Sequence, residues 1–429
     1  MSAVVPGESP SATFKGNELA ATRSMPICRV ALLTGGDDKP YVLGLVKALT
    51  SQGILFDVIG SDDLNVLELI SNPGINFLNL RGDQRQEASL PAKGRRILKY
   101  YIRLIHYAAI ARPKLLHILW NNKFEIFDRT VLMLYYKLLR KKIALTTHNV
   151  NAGKRDSKDS FVNRFSLCIQ YRLADHIFVH TDKMKQELMC AFGVSKCKIT
   201  VIPFGINSTV PESNLSSEEA KRRLGLSSSD KTMLFFGQIA PYKGLEYLVN
   251  AFGQLLKTDK TYRLVIAGKP KWSNEYWNRI REMAISSGIH NRMIERIEHV
   301  PDEETELYFK AADVLILPYT EIFQSGVLFL GYNFGLPAVA ADVGSLREEI
   351  VEGETGFIAK PQDPADLSQA ISRYFTSDLY RDLEERRPKI KKYANDRYSW
   401  SKVAAMTTNV YSSLLAGSRS VAVKEQSCR

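Results

Sequence analysis

The sequence predicts an α/β protein built from two doubly wound parallel-sheet domains that face each other across a cleft. Short apolar runs rich in β-forming residues alternate with stretches of helical periodicity. This alternation occurs once before and once after a segment at 207 to 231 that contains Ser, Asn and Pro. The 429 residues are 45% hydrophobic, which suits two or three domains better than one. We therefore expect two large Rossmann-like domains.

The first half opens with a βαβ unit, in which a strand at 28 to 34 ends at two glycines and precedes a helix at 41 to 49. The remaining strands predicted in the first half lie at 56 to 60, 115 to 120, 143 to 147 and 176 to 180, and the stretch from 200 to 206 leads out of this half. The second half should contain strands at 232 to 236, 263 to 267, 294 to 299, 314 to 319 and 337 to 341. Ligands of such sheets bind beyond the carboxyl ends of the strands, so the segments that follow them should line one crevice.

Composition excludes several classes of protein. Five cysteines without a Cys-x-x-Cys pair indicate neither a disulfide framework nor a zinc site, and they favour a reducing compartment. Residues 1 to 26 lack the apolar core of a signal peptide, and we expect a disordered lead-in there. No apolar run approaches the roughly 18 residues of a membrane-spanning helix. We expect a cytoplasmic protein that needs neither a metal nor a cofactor.

The net charge of +12 is concentrated in one segment, because residues 81 to 142 hold 15 Lys and Arg against 4 Asp and Glu. Helical periodicity in this segment predicts an apolar side and a basic side. The apolar side is formed by Ile97, Leu98, Tyr101, Ile105 and Ala109, and the basic side by Arg95, Arg96, Lys99 and Arg103. We interpret these four basic residues as contacts to an anionic membrane surface on the inner face of the plasma membrane. A plain solvated face is the next alternative, and nucleic acid ranks below both because no recognised motif accompanies the charge.

A candidate anion site lies between the strand at 232 to 236 and the helix that follows it. The strand stops at Gly237, and the loop presents Lys243 just before Leu245, where helical spacing begins. Free N–H groups and the positive end of a helix dipole favour phosphate at such a point. The spacing matches neither a Walker A loop nor Gly-x-Gly-x-x-Gly, and a solvated lysine in an ordinary turn is the alternative.

Several short motifs occur in an order that resembles the family 4 glycosyltransferases of bacterial type, which belong to the glycosyltransferase group 1. The motifs are Thr-Gly-Gly at 34 to 36, Thr-His-Asn at 147 to 149, Val-Ile-Pro-Phe-Gly-Ile-Asn at 201 to 207, Gly-Gln-Ile-Ala-Pro-Tyr-Lys-Gly at 237 to 244, Leu-Val-Ile-Ala-Gly at 264 to 268, Val-Pro-Asp-Glu at 300 to 303, Ala-Ala-Asp-Val-Leu-Ile-Leu-Pro at 311 to 318, Gln-Ser-Gly-Val at 324 to 327 and Gly-Leu-Pro-Ala-Val-Ala at 335 to 340. Each motif alone is weak, and the ordered set is strong. The resemblance implies the GT-B fold and retaining transfer of a sugar from a nucleotide diphosphate to an acceptor.

The resemblance also implies a division of the chain. Residues 27 to 206 would form the acceptor domain, and residues 207 to 390 the nucleotide-sugar domain. A helix at 391 to 415 would cross back to the first domain, and residues 416 to 429 would be a flexible tail.

Matched motif positions supply the expected site residues. Lys243 corresponds to the family's diphosphate lysine, and His148 to a histidine that touches the donor sugar near the reacting centre. Gly36 would let the backbone approach the phosphate or the acceptor. The N–H groups of Ser325 and Gly326, at the start of a predicted helix, would hold a sugar hydroxyl or a phosphate oxygen, and the competing interpretation is an ordinary N-cap.

Three positions depart from the family pattern. Gln238 stands where the family usually has an arginine, which removes one of two cations at the diphosphate. Leu330 occupies the place of the glutamate that holds the nucleotide ribose. Glu321 replaces the other glutamate of the pair with a shift of one residue, and Gln324 would take over part of the donor contact.

The function expected from the sequence is transfer from a UDP- or GDP-sugar, which acts as co-substrate, to a saccharide or lipid-linked acceptor in cell-surface polysaccharide or glycolipid synthesis. Two other classes remain open. Gln238 and Leu330 favour a catalytically silent protein that binds nucleotide sugars, and the same fold also supports a sugar-nucleotide epimerase.

Overall fold

The structure is a computed structural model that describes residues 28–35, 38–84, 89–155, 159–206, 210–271 and 273–416. Within these ranges the chain forms two fully parallel sheets, which confirms the predicted fold class. The first sheet contains β1 (Arg29–Leu33), β2 (Leu55–Gly60), β3 (Ile75–Asn79), β4 (Leu115–Ile118), β5 (Lys142–Thr146), β6 (His176–Val179) and β7 (Ile199–Val201). The second contains β8 (Lys231–Phe236), β9 (Tyr262–Ala267), β10 (Met293–Arg296), β11 (Val314–Leu317), β12 (Ala338–Ala341) and β13 (Gly356–Ala359).

Both sheets are doubly wound. The strand orders are β3-β2-β1-β4-β5-β6-β7 and β10-β9-β8-β11-β12-β13, so each sheet reverses direction beside its first strand. The prediction missed β3 and β13, which are edge strands of five and four residues. β3 is only partly buried and lacks the continuous apolar run that marks an interior strand, whereas β13 is buried but has only four residues and begins at a glycine.

Helices cover both faces of each sheet. In the first domain they are α1 (Lys39–Thr50), α2 (Leu67–Ile70), α3 (Leu90–Ile110), α4 (Glu125–Phe127), α5 (Met133–Leu138), α6 (Ala152–Arg155), α7 (Phe161–Leu173) and α8 (Asp182–Phe192), with a π-helical segment at Asp128–Leu132 between α4 and α5. The remaining helices are α9 (Ser217–Arg223), α10 (Leu245–Thr258), α11 (Glu275–Ser286), α12 (Asp302–Ala311), α13 (Gly326–Asn333), α14 (Leu346–Glu349), α15 (Pro364–Thr376), α16 (Asp378–Arg381), α17 (Leu383–Tyr398) and α18 (Trp400–Ala416). None of the helices so described combines the length and the apolar character that crossing a bilayer requires.

The two faces of the first sheet are covered by different helices. Alternate side chains of a strand point to opposite faces, so Val30 and Leu32 of β1 pack with α1 and α18, whereas Ala31 and Leu33 pack with α3, α5 and α7. The last helix, α18, thus completes the core of the first domain although it follows the second domain in sequence. Its Tyr411 hydroxyl lies 2.5 Å from Nδ1 of the buried His117 of β4.

The crossing from α17 to α18 is fixed by Trp400. Its indole Nε1 donates to the carbonyl oxygen of Ile206 (2.8 Å), where the chain leaves the first domain. A Cβ atom on Gly44 or Gly205 would lie 2.2 or 2.3 Å from the indole, so only glycine fits at these two positions. The two connections between the domains are therefore packed against each other beside α1.

The predicted apolar side of α3 is wrong in part. Tyr100, Tyr101, Leu104 and Ala108 are buried, whereas Leu98 is 63% exposed. Ile105 and Ala109 are exposed as well. The error arose because the helix carries more apolar residues than one buried stripe can hold, and periodicity alone does not say which of two adjacent apolar stripes faces the core.

Candidate functional site

The carboxyl ends of the two sheets meet at a cavity of about 160 Å³ between the domains. Tyr41, Phe204 and Trp400 line it from the first domain, and Gly326, Val327 and Leu330 line it from the second. Phe204 also stacks on Phe329, with ring centroids 5.6 Å apart and an interplanar angle of 16°. The cavity is the place where the sequence predicts that ligands bind.

Lys243 lies on the second-domain side of this junction. The chain leaves β8 at Gly237 (φ +100°), makes a single 3₁₀ turn over Pro241–Lys243 and enters α10 after Gly244 (φ +65°). A Cβ atom on Gly244 would lie 2.0 Å from the carbonyl oxygen of Pro318, so glycine is required both for the turn and for its contact with the end of β11. The Lys243 side chain is only 7% exposed.

Tyr319 connects Lys243 to the start of α13. The ammonium nitrogen of Lys243 lies 3.8 Å from the ring centroid of the fully buried Tyr319, a cation–π contact. The hydroxyl of Ser325 lies 3.4 Å from the Tyr319 hydroxyl and also caps α13 by accepting from the N–H of Leu328 (3.4 Å). One cation and the N-terminus of an eight-residue helix therefore share a single aromatic support.

His148 lies on the first-domain side, just after β5. Its ring stacks on Trp120 with centroids 4.2 Å apart and planes at 3°, and Tyr41 packs edge-on against it at 4.8 Å. Gly35 supports Trp120, because a Cβ atom on Gly35 would lie 2.4 Å from the Cβ of Trp120. Gly36, the expected backbone contact, lies outside the described residues.

A second histidine stands behind His148. Nδ1 of His148 lies 3.1 Å from Nε2 of His180, whose Nδ1 lies 3.3 Å from the carbonyl oxygen of Ile202. Burial lowers the pKa of His148 well below its usual value, with smaller contributions from His180 and His117. Burial also lowers the pKa of His180, to about 4. Both rings are neutral at pH 7.

The other residues expected to bind the donor differ in their exposure and in their contacts. Gln238 is exposed and follows Gly237, which packs near Val327 of α13. Glu321 is exposed and has no hydrogen-bond partner within the described ranges. Gln324 points into the second domain, where its amide nitrogen donates to Oε1 of Glu349 (2.9 Å). Leu330, in place of the family's ribose-binding glutamate, is half-buried in the wall of the cavity.

Sequence reasoning missed four residues of this site: Trp120, His180, Tyr319 and Glu349. The first three lie one or two residues beyond the ends of strands β4, β6 and β11, so their position at the carboxyl ends of parallel strands was the available signal. Glu349 gave no signal, because an acidic residue beside Glu348 at the end of a short helix is expected to be solvated. It is instead 5% exposed, and burial raises its pKa to about 7.

The four basic residues predicted to contact a membrane lie on the solvent side of α3. Arg95, Lys99 and Arg103 are exposed, and Arg96 is half-buried. None of the four makes an ion pair within the described part of the chain. At spacings of four residues, Arg95, Lys99 and Arg103 form one row along the helix.

Comparison with known proteins assigns the family. The family profile described as "Glycosyl transferases group 1" matches residues 216–397, and the one described as "Glycosyltransferase Family 4" matches residues 40–210. Together they cover most of the chain. The chain belongs to the group 1 glycosyltransferases. The resemblance predicted from the motifs is thereby confirmed.

Curated relatives of this glycosyltransferase include D-inositol 3-phosphate glycosyltransferases. That of Corynebacterium efficiens is 27% identical over 288 residues, which are 64% of this chain and 66% of the relative. That of Acidothermus cellulolyticus is 31% identical over 263 residues, which are 60% of this chain and 57% of the relative. The matched region thus spans less than two thirds of the length of these relatives.

Solved structures agree with the fold. A sucrose-phosphate synthase from Thermosynechococcus elongatus has a TM-score of 0.73 at 20% identity and covers 91% of this chain and 100% of its own. The Anabaena protein HepE, solved in complex with UDP and glucose, has a TM-score of 0.70 at 15% identity and covers 90% of this chain and 100% of its own. At this identity the likeness establishes the GT-B fold alone.

Proposed function

We propose that this chain is a retaining glycosyltransferase that moves a sugar from a UDP- or GDP-sugar to a saccharide or lipid-linked acceptor, in cell-surface polysaccharide or glycolipid synthesis. One observation carries the proposal: Lys243 and the N-terminus of α13, whose Gly326 lines the cavity, both contact Tyr319. In the first domain, Tyr41 lines the same cavity and packs against the neutral His148, which also stacks on Trp120. The presence of UDP and glucose in the solved HepE complex supports a nucleotide sugar as the donor.

The leaving nucleotide diphosphate gains negative charge as the glycosidic bond breaks. A preorganised ammonium group and helix N–H donors stabilise that charge more in the transition state than in the ground state, and such a difference accelerates the reaction. His148 would contact the sugar, and the departing phosphate would assist the incoming hydroxyl. The chemistry requires no metal at the diphosphate, because Lys243 and the α13 N-terminus take its place.

The test is turnover with a panel of UDP- and GDP-sugars, measured as free nucleotide diphosphate and as transferred or hydrolysed sugar. We expect one donor to be cleaved slowly without acceptor, and Lys243→Ala to abolish that cleavage. Lys257→Ala, which changes an exposed lysine on α10, is the matched control and should behave as the wild type. Cleavage that survives in Lys243→Ala would contradict the assignment of the diphosphate site.

Gln238 and Leu330 favour one alternative, a catalytically silent protein that binds nucleotide sugars. Such a protein would be stabilised against thermal unfolding by a donor but would release no product. An epimerase, the other alternative, would convert the donor sugar without any acceptor. Product analysis of the same reactions distinguishes all three.

An anionic membrane is the partner that the surface of the first domain favours. Twelve of the sixteen large apolar side chains exposed within the described ranges lie on three segments. These side chains are Leu98, Ile102, Ile105 and Ile110 of α3, Phe124, Ile126, Val131, Leu134 and Leu138 around α4 and α5, and Phe161, Val162 and Phe165 of α7. We refer to these twelve residues as the apolar surface. An exposed apolar area of this extent marks an interaction site.

The three segments are neighbours on one face of the first sheet. Tyr101 of α3 stacks on Phe124 at 5.7 Å, and the Tyr135 hydroxyl donates to the carbonyl oxygen of Ile105 (3.1 Å). The segment around α4 and α5 also contacts α7, because Arg129 donates to the side-chain oxygen of Asn163 (2.9 Å). The exposed apolar residues Leu98, Ile102 and Ile105 of α3 therefore lie on the side toward α4. The basic row of Arg95, Lys99 and Arg103 borders the apolar surface. Apolar side chains beside a basic row suit the interface of an anionic bilayer.

Vesicle sedimentation tests this part of the proposal. Wild-type protein should bind vesicles of phosphatidylcholine with phosphatidylglycerol and release them at high salt, because exposed charges are screened. The double variant Leu98→Ser, Ile102→Ser should lose binding, and Arg95→Gln, Lys99→Gln should lose the preference for anionic lipid. The control Lys257→Gln, Lys389→Gln removes the same charge from the second domain and α17. Equal binding by all variants would contradict the membrane surface.

A further inference from the structure

A chain of hydrogen bonds fixes the protonated nitrogen of His148. The carbonyl oxygen of Ile202 can only accept, so Nδ1 of the neutral His180, at 3.3 Å, must carry the proton. Nε2 of His180 is then a lone pair, and it can only accept from Nδ1–H of His148 at 3.1 Å. Nε2 of His148 is left as an unprotonated acceptor.

The surroundings hold His148 in this state. Trp120 covers one face of the ring and Tyr41 packs edge-on against it, so these contacts fix the plane of the ring, whereas the hydrogen bond from Nδ1 to His180 fixes which edge faces His180. The titratable groups that face it from the packed elements are His180 after β6, Tyr41 of α1 and His117 of β4. Burial keeps both histidines neutral and raises the pKa of Tyr41, so none of the three is charged at pH 7.

The free lone pair of His148 has no partner of its own. Nε2 is shielded from solvent and lacks a hydrogen-bond partner among the described residues. A buried acceptor left unsatisfied is costly, so a ligand that brings a hydroxyl or N–H group to this atom binds more tightly than one that does not.

We infer that His180 is a positioning residue that holds His148 in the Nδ1–H tautomer, so that its Nε2 lone pair accepts from a hydroxyl of the donor sugar and disfavours a carboxylate there. The inference rests on the proposed function and specifies its substrate class: neutral hexoses are preferred to uronic acids. A carboxylate oxygen facing a desolvated lone pair has no proton to donate and loses its hydration, which penalises a uronic acid.

The tautomer can be measured without any turnover. In protein labelled with ¹⁵N-histidine, two-dimensional spectra distinguish Nδ1–H from Nε2–H rings, and the chain has only 7 histidines to resolve. His148→Gln and His180→Gln spectra assign the two signals by subtraction. We expect both rings to be neutral Nδ1–H tautomers at pH 7. An Nε2–H tautomer or a protonated ring at His148 would overturn the inference.

Variants at position 180 test whether His180 sets the tautomer. His180→Phe keeps the ring shape but removes the acceptor, and His148 should lose its single Nδ1–H state. His180→Gln can accept from His148 through its carbonyl oxygen, so it should retain that state. An unchanged His148 signal in His180→Phe overturns the positioning role. If His180→Phe does not fold, the tautomer of His148 measured in the wild type still supports or overturns the inference.

Matched donors test the specificity. Dissociation constants are measured for UDP-glucose with UDP-glucuronate and for GDP-mannose with GDP-mannuronate. The neutral sugar of the recognised pair should bind at least about tenfold more tightly, and His180→Phe should narrow that ratio to about threefold or less. Equal affinities in the wild type overturn the specificity. If no nucleotide sugar binds while the Nδ1–H tautomers are observed, the proposed function fails and the positioning of His148 stands.

Discussion

The two walls of the cleft differ in how they interact with a ligand. On the second-domain side, Lys243 and the N-terminus of α13 form what we call the cationic wall, beside the apolar Val327 and Leu330 that line the cavity. The first-domain wall is aromatic and uncharged, with Tyr41, Trp120 and the neutral His148. Under the proposed function, the second wall would stabilise the charge of the diphosphate, whereas the first would recognise the shape and the hydroxyl groups of the sugar. Substitutions on the two walls should therefore have separable effects.

The largest effect is expected on the cationic wall. Lys243→Ala removes the charge beside the developing diphosphate and should lower the rate of transfer by about 3 kcal/mol or more in activation free energy. Steady-state kinetics at saturating donor measures it, with Lys257→Ala as the control. If turnover is unchanged, charge stabilisation does not reside on this wall.

A smaller effect concerns the buried carboxyl behind the cationic wall. Burial raises the pKa of Glu349 from 4.5 to about 7, so between these values the unfolded state loses the proton that the folded state keeps. Stability from this group is therefore fully present below pH 4.5 and falls as the pH rises toward 7. In the wild type the free energy of unfolding should therefore decrease by roughly 2–3 kcal/mol over that range, and Glu349→Gln should abolish this decrease.

Urea unfolding at pH 5 and pH 8 measures this difference. The exposed neighbour Glu348 provides the matched control, and Glu348→Gln should keep the pH dependence of the wild type. If the stabilities of Glu349→Gln and Glu348→Gln depend equally on pH, the Glu349 carboxyl is ionised in the folded protein across this range, which would contradict the raised pKa.

On the aromatic wall, His148→Ala should lower the rate by about 1–2 kcal/mol while the affinity for the free nucleotide changes by less than about threefold. Under the proposed function, His148 contacts the sugar and not the phosphate. Nucleotide affinity from calorimetry and turnover from product release are compared on the same protein. A parallel collapse of both would assign His148 a purely structural role.

The smallest effect should come from adding charge to the cationic wall. Gln238→Arg restores the family's second cation at an exposed position and should tighten donor binding by about twofold to fivefold, since exposed ion pairs contribute at most about 1 kcal/mol. The gain should shrink at high salt. An unchanged dissociation constant at low salt would show that the diphosphate does not reach residue 238.

The sequence predicted the fold and the strand–turn–helix junction at Lys243 because both depend on local patterns. Strand, glycine turn and helix around Lys243 are contiguous in the chain, so their meeting point follows from hydrophobic periodicity. The aromatic wall could not be predicted in the same way. Trp120, His148 and His180 come from three different strands, and only the sheet order brings them together.

The side of α3 and the role of Gln324 depended on tertiary packing. Two apolar stripes on α3 were equally compatible with periodicity, and the residues of α5 decided which stripe is buried. Gln324 was expected at the donor, yet its amide hydrogen-bonds to Glu349, which is 25 residues away in sequence. No local pattern distinguishes a carboxyl that is buried and protonated from one that is solvated.

Titration calorimetry with free nucleotide and with the matching nucleotide sugar tests the division between the two walls most directly. The pairs are UDP with UDP-glucose and GDP with GDP-mannose, each against wild type, Lys243→Ala and His148→Ala. We expect Lys243→Ala to weaken the free nucleotide and the nucleotide sugar alike, and His148→Ala to remove only the extra affinity that the sugar provides. If His148→Ala weakens the free nucleotide as much as Lys243→Ala does, the two walls do not divide charge from sugar and the account is wrong.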